Sequence, residues 1–223
     1  MKGKMKKTGL MIIALFVLSE ATIMAAEPEG MPANDALKRL QDGNAKFVAA
    51  SLTGLNGQQL LARRAELTKD QKPFAVIVSC SDSRVPPELV FDAGLGDVFV
   101  VRTAGEVVDP VAIGSIEYAV AHLGTNLIVV LGHEKCGAVA AAVSQAKESG
   151  NIPDVLKAIE PAVEETKGKP GDPVDNAVRA NAVDIARRLE TTGPIIPSRV
   201  KAGTLKIVAA RYDLDSGKVE LFQ

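Results

Sequence analysis

The sequence predicts an α/β protein: a central, mostly parallel sheet with an antiparallel edge strand, flanked by helices and preceded by an N-terminal helical arm. Three observations lead there. Short apolar runs rich in β-branched residues alternate with stretches whose apolar residues recur every three or four positions, the pattern of buried strands joined by amphipathic helices. Two runs near the end of the chain flank a tight turn and so pair antiparallel. The first helical stretches precede any strand and stand outside the alternation.

Taken in order, Ala33 to Ala50 places Leu37, Leu40, Phe47 and Val48 on one helical face behind Asn34, a residue type that caps helix starts. Gln58 to Leu67 reads as a second short helix, completing the arm. Phe74 to Ser79, Val98 to Val101, Leu127 to Leu131 and Leu205 to Ala210 read as buried strands. Between them, Val111 to Leu123, Gly137 to Lys147 and Val174 to Leu189 carry helical spacing. Gly168 to Pro173 is a loop between helices, because composition does not change across it. Leu205 to Tyr212, an Asp-Ser-Gly-Lys turn and Val219 to Phe222 form the closing hairpin. Gly94-Leu-Gly-Asp97 precedes a strand and lacks a third glycine, so it is not a dinucleotide fingerprint.

With 223 residues, 47% of them hydrophobic, the chain can bury a substantial core in one domain. Lys2, Lys4, Lys6 and Lys7 precede an uncharged stretch from Thr8 to Ser19 and a small-residue region at Ala25 and Ala26, the layout of a secretory signal peptide over residues 1–26. An uncleaved N-terminal anchor is the alternative. Either way residues 27–223 form an exported body, expected in the periplasm. The whole chain has 26 basic and 27 acidic residues; without the four lysines and Glu20 of the leader, 22 and 26 remain, a net charge of −4. That balance argues against nucleic acid as a partner, since phosphate backbones call for a basic face.

Two segments carry chemistry. Cys80-Ser81-Asp82-Ser83-Arg84 follows one strand directly, and Gly132-His133-Glu134-Lys135-Cys136-Gly137 follows another and opens a helix. Ligands of open α/β sheets bind beyond the carboxyl ends of the strands. His133 and Cys136, three apart, can converge at a helix start, where the helix dipole favours a thiolate at Cys136. Two sulfurs and an imidazole suit tetrahedral zinc with the fourth position left for water, whose pKa zinc lowers from 15.7 to about 7. Arg84 could hold Asp82 in a bidentate pair, or Asp82 could close the site as a fourth ligand. Taken alone, two cysteines in an exported chain also admit a disulfide; that reading leaves unexplained why both cysteines and the histidine follow apolar strands.

At these residues the chain resembles the β-class carbonic anhydrases, whose signature pairs Cys-x-Asp-x-Arg with a later His-x-x-Cys. The resemblance extends through Leu40 to Phe47 (LQDGNAKF), Val100 to Gly105 (VVRTAG), Gly114 to Ala119 (GSIEYA) and the hairpin from Gly203 to Leu221, nearly everything after the leader. It implies one Zn2+ per chain on Cys80, His133 and Cys136, with Asp82 and Arg84 as a catalytic dyad. It also implies reversible hydration of carbon dioxide to bicarbonate and a proton by a zinc-bound hydroxide. By motif position it implies a substrate pocket of Gln71, Phe99, Ala104, Tyr118 and the Gly137 backbone N–H. It further implies a homodimer or dimer of dimers in which Gln71, Phe99 and Tyr118 serve the neighbouring subunit's site. For Phe99 and Ala104, simple packing is an equal alternative.

Where many members read Ala-Gly-Asn, this chain has Ala104-Gly105-Glu106. Glu106 is expected to point outward as a solvated loop residue; inward, it would add negative charge beside the site. His122, near a helix end, is expected to cap or lie on the surface rather than shuttle protons. Two rivals remain on this reading: hydrolysis of a sulfur analogue of carbon dioxide on the same zinc site, and a non-catalytic exported protein that binds zinc or carries the disulfide.

Overall fold

The computed structural model describes residues 30–53 and 57–222. The expected signal peptide lies outside them. Among the described residues the first elements are two helices, α1 (Ala33–Val48) and α2 (Gly57–Glu66). Strand β1 (Ala75–Cys80) leads through a one-turn helix α3 (Pro87–Val90) to β2 (Val98–Thr103), which ends in a single 3-10 turn over Ala104–Glu106. Helix α4 (Pro110–His122) returns to β3 (Leu127–His133). Three helices follow, α5 (Gly137–Val143), α6 (Ile152–Thr166) and α7 (Pro173–Thr191), then α8 (Ile195–Lys201) and the hairpin β4 (Lys206–Tyr212) and β5 (Val219–Phe222).

The strands order as β2-β1-β3-β4-β5. All pairs are parallel except β4 with β5. β1 and β3 are buried along their whole length, while β2, at the free edge, is half-buried throughout. Alternation divides the core. Val76, Val78, Ile128 and Val130 point to one face and pack with Ile116 of α4, Leu189 of α7 and Ile196 of α8. Ile77, Leu127, Val129 and Leu131 point to the other, with Ala36 and Leu40 of α1 and with Phe91. A third cluster sits beyond the carboxyl ends of β1 and β3, where Cys80 and Cys136 meet Val139, Ile159, Ala177 and Val178 of α5, α6 and α7.

Several boundaries differ from the sequence expectation for local reasons. Pro32, not Asn34, precedes the first turn of α1, and Asn34 Oδ1 instead accepts from Lys206 Nζ at 3.3 Å. The face α1 buries is Ala36, Leu40, Gly43 and Asn44, leaving Val48 41% exposed. The cause is a backbone approach: a Cβ on Gly43 would stand 1.8 Å from the Phe91 carbonyl oxygen. Asn44 then ties the arm to the last hairpin, donating to Gly217 O at 2.8 Å and accepting from Val219 N at 2.9 Å. Helix α5 stops at Val143, before Lys147, because Gln145 adopts a left-handed φ of 52°. Helix α6 has no counterpart in the sequence reading; Pro153 fits in its first turn, where no amide is missed, and Pro161 is tolerated inside.

Candidate metal centre

Cys80 is the last residue of β1 and His133 the last of β3, two adjacent parallel strands. Cys136 precedes the first turn of α5. His133 and Cys136 therefore converge through a turn rather than along a helix face, and Lys135 between them takes a left-handed φ of 54° to reverse the chain. Their two ligand atoms and that of Cys80 lie within 4.8 Å of one another. All three residues are buried, His133 completely. The two Sγ atoms stand 4.0 Å apart and both thiols are free, well beyond the roughly 2.05 Å of a disulfide bond. His133 Nδ1 lies 2.8 Å from Glu134 O, and with the Nδ1 proton donated there, Nε2 is the nitrogen left to ligate. Nε2 is buried and has no hydrogen-bond partner. Residues of this kind in this arrangement can hold a soft or borderline metal ion.

The two thiols act on each other through their 4.0 Å contact, which lowers Cys80 and raises Cys136. The contact with the Cys136 thiol lowers the Cys80 pKa to about 4 against the cost of burial. Gly105 N donates to Cys80 Sγ at 3.3 Å. Cys136 is pushed up by the contact with Cys80 and by burial.

Glu106 points inward, against the expectation of a solvated loop residue. It is fully buried, and burial pushes its carboxyl up to about 8. Asn181 Nδ2 on α7 donates both to Glu106 Oε1 at 2.9 Å and to Gly105 O at 3.0 Å. Gly105 and Glu106 both have left-handed φ, 63° and 45°, and this tight turn at the end of β2 aims Gly105 N at Cys80.

Asp82 and Arg84 form a bidentate pair. Arg84 Nε donates to Oδ1 at 2.9 Å and Nη2 to Oδ2 at 2.7 Å, while the Arg84 backbone N adds a third bond to Oδ1 at 2.9 Å. These donors hold the Asp82 carboxyl at about 2. Arg84 Nη2 also reaches Lys135 O at 3.3 Å, joining the two motif loops. Sequence reasoning missed Arg102. Its Nε donates to Cys80 O at 3.0 Å and its Nη2 to Asp82 O at 2.6 Å. The available signal was a lone charge inside the apolar run Val-Phe-Val-Val-Arg-Thr.

The remaining candidates scatter. Ala104 and Gly137 are exposed at the carboxyl edge of the sheet, and Phe99 is half-buried against the α4 face of the core. Tyr118 is 50% exposed and stacks on His122 with ring centroids 5.1 Å apart. Gln71 is exposed before the amino end of β1 and, with His122, lines a cavity of about 430 Å³. A six-residue strand spans roughly 20 Å, so Gln71 and Cys80 lie at opposite ends of the sheet and Gln71 is not brought to its own chain's cluster.

Comparison with known proteins gives one answer. The carbonic anhydrase family profile matches residues 75–219. Carbonic anhydrase of Mycolicibacterium smegmatis is 44% identical over 190 residues, covering 83% of this chain and 91% of that protein. Carbonic anhydrase 2 of Mycobacterium tuberculosis is 42% identical with the same coverage. Among solved structures, the β-carbonic anhydrase CafA of Aspergillus fumigatus superposes with a TM-score of 0.67 at 25% identity, over 85% of this chain and 90% of that one. Tetrameric β-carbonic anhydrases of Sordaria macrospora share the fold, with a TM-score of 0.66 at 24% identity over 85% and 97%.

Proposed function

The chain belongs to the β-class carbonic anhydrases, and on that premise we propose that it hydrates carbon dioxide reversibly to bicarbonate and a proton, with one zinc ion held by Cys80, His133 and Cys136. The observation that carries this reading is the convergence of the three ligand atoms. Two sulfurs bonded at about 2.3 Å to one tetrahedral zinc stand roughly 3.8 Å apart, and here they stand 4.0 Å apart. The buried, unpartnered Nε2 of His133 supplies the third donor. When bound, zinc supplies a Lewis acid with a position open to water and brings that water's pKa to about 7.

The chain's own groups then orient the reaction. Asp82 is acceptor-only while ionised, and Arg84 keeps it ionised throughout the neutral range. It accepts the proton-side hydrogen bond of the attacking oxygen and so turns a lone pair toward the substrate carbon. Its Oδ2 lies 3.7 Å from His133 Nε2, close enough to address a nucleophile at the cluster. The bidentate hold by Arg84 keeps that same oxygen from becoming a ligand itself. Gly137 N–H, exposed at the mouth, is a donor for a substrate oxygen.

Phe99, Ala104, Tyr118 and Gln71 are proposed to complete the pocket across a homodimer or dimer of dimers. The half-buried edge strand β2, the exposed Tyr118 and Val111, 76% exposed on α4, support an interface on that side. The position of Gln71, a strand's length from its own cluster, supports service to a neighbouring subunit. The lysine-rich start and apolar stretch of residues 1–26 support export to the periplasm with removal of the leader.

The test is carbon dioxide hydration by the leader-free protein from pH 6.5 to 9, with zinc quantified on the same sample. About one zinc per chain and activity rising with pH are expected, and both should be lost in Cys136→Ser. Zinc without hydration at any pH in that range would overturn the assignment.

A further inference from the structure

Two arginines grip the segment between the first cysteine and the dyad, and they grip it differently. Arg84 binds the side chain of Asp82. Arg102, reaching across from β2, binds the main chain: Nε to the carbonyl of Cys80 and Nη2 to the carbonyl of Asp82. The ladder explains the reach. Cys80 pairs with Thr103, and Ser81 N extends the pairing by one bond to Thr103 O at 2.9 Å, so Arg102 stands one position back on the neighbouring strand. Beyond that bond the chain leaves the sheet, and Val85 N closes a turn onto the same Asp82 carbonyl at 3.1 Å. The guanidinium thus spans the point where strand becomes loop, tying the residue that would hold metal to the residue that would orient the nucleophile.

The chemistry of the group suits the task. A guanidinium presents a rigid planar fork of donors, whereas an ammonium is a point charge on a flexible stem and cannot bridge two fixed carbonyls with the same geometry. Arg102 forms no ion pair with a carboxylate among the described residues, so its fork serves these two carbonyls. Asp82 has somewhere to go when released: its Oδ2 is 3.7 Å from the metal-facing nitrogen of His133.

We propose that Arg102 is a positioning residue that holds the Cys80–Asp82 main chain so that the Asp82 carboxylate stays on Arg84 and off the metal. It acts through Asp82 and touches neither substrate nor metal. The proposal rests on the zinc hydratase reading, and the experiment separates the two.

The experiment measures zinc affinity by chelator competition in wild type, Arg102→Lys, Arg102→Gln, Asp82→Ala and the Arg102→Lys/Asp82→Ala double variant, alongside hydration kinetics. Releasing Asp82 gives the metal a fourth protein ligand, so Arg102→Lys should bind zinc about tenfold more tightly while kcat falls about tenfold or more with KM little changed. The affinity gain should vanish in the double variant, because it requires the Asp82 carboxylate. Arg102→Gln should behave likewise if folded, and Arg102→Lys keeps the charge should Gln unfold the edge strand. Cobalt(II) substituted for zinc should report the change of ligand in its visible spectrum. A merely structural Arg102 predicts the opposite sign, with weaker metal binding in both backgrounds. Unchanged or weaker zinc affinity in Arg102→Lys, or a gain that survives Asp82→Ala, overturns the inference. Wild type that neither binds zinc nor hydrates carbon dioxide sinks the underlying reading instead.

Discussion

Asp82 Oδ2 lies 2.7 Å from Arg84 Nη2 and 3.7 Å from His133 Nε2, so one carboxylate oxygen stands between the guanidinium that holds it and the nitrogen that would bind metal. On the proposed zinc reading, a rotation of the Asp82 side chain, with no change in fold, would decide whether Asp82 serves the nucleophile or displaces it.

Arg84→Ala should lower kcat/KM by about a hundredfold, since misplacing an orienting group by about an ångström costs on that order. Arg84→Lys keeps the charge but not the fork and should recover only part of the loss. Hydration kinetics at neutral pH check both; full activity in Arg84→Ala would show that the pair is a surface ion pair.

Acid stability should carry the signature of the same pair. The folded Asp82 carboxyl is held at about 2, below its unfolded value near 4, so its contribution is present above pH 4 and is lost as pH falls through about 2. Asp213, bonded by the Ser216 side chain and backbone and by Arg211, titrates in the same window. Urea midpoints between pH 5 and 2 should fall in wild type and fall less steeply in Asp82→Asn and in Asp213→Asn.

Glu106 has the opposite sign. Its folded carboxyl is pushed up to about 8 by burial, so the folded chain holds this proton at pH values where the unfolded chain has released it. Stability of metal-free protein should be greatest below about 4.5 with respect to this group, decline as pH rises to about 8, and level off above. Glu106→Gln removes the charge that costs and keeps an oxygen for Asn181 Nδ2, and should flatten the decline. An unchanged slope would mean that Glu106 is solvated.

Metal-free protein should carry about one thiolate per chain at neutral pH, on Cys80, because the Cys136 S–H stabilises it. Ultraviolet thiolate absorbance during pH titration of chelated protein reads this directly. Cys136→Ser should leave the low-pKa thiolate in place but shift it upward, since a hydroxyl replaces the thiol donor at altered reach; Cys80→Ser should abolish it.

Gly43→Ala tests how the arm docks. Alanine raises intrinsic helix propensity by about 1 kcal/mol over glycine, yet its Cβ would stand 1.8 Å from the Phe91 carbonyl oxygen. Overpacking should win, for a net loss of about 2 kcal/mol or more in urea unfolding. A stabilised variant would mean that α1 does not sit on the Phe91 backbone.

Much of the architecture is legible along the chain because it depends on near neighbours. The run Ala75 to Val78 is apolar at every position because β1 is buried on both faces, and the same holds from Leu127 to Leu131 in β3. The candidate ligands could be found because they lie at or just past the ends of such runs, and strand ends are where a parallel sheet exposes its groups to a ligand. Helix α6 escaped for an equally local reason, as Pro153 and Pro161 look like breaks until packing against α5 and α7 makes the helix worth keeping.

By itself, then, the sequence determined the alternation of strands and helices, the closing hairpin, the candidate trio Cys80, His133 and Cys136 and the pairing of Asp82 with Arg84, all of which follow from periodicity or from residues a few positions apart. Only the tertiary structure decided that Glu106 turns inward against Asn181, that Arg102 binds the carbonyls of Cys80 and Asp82, and that Gln71 lies at the far end of β1 from its own cluster. Each of those depends on strand register, on a left-handed turn or on burial among residues from distant parts of the chain. Such contacts leave no periodic trace, because the partners that set them are chosen in space.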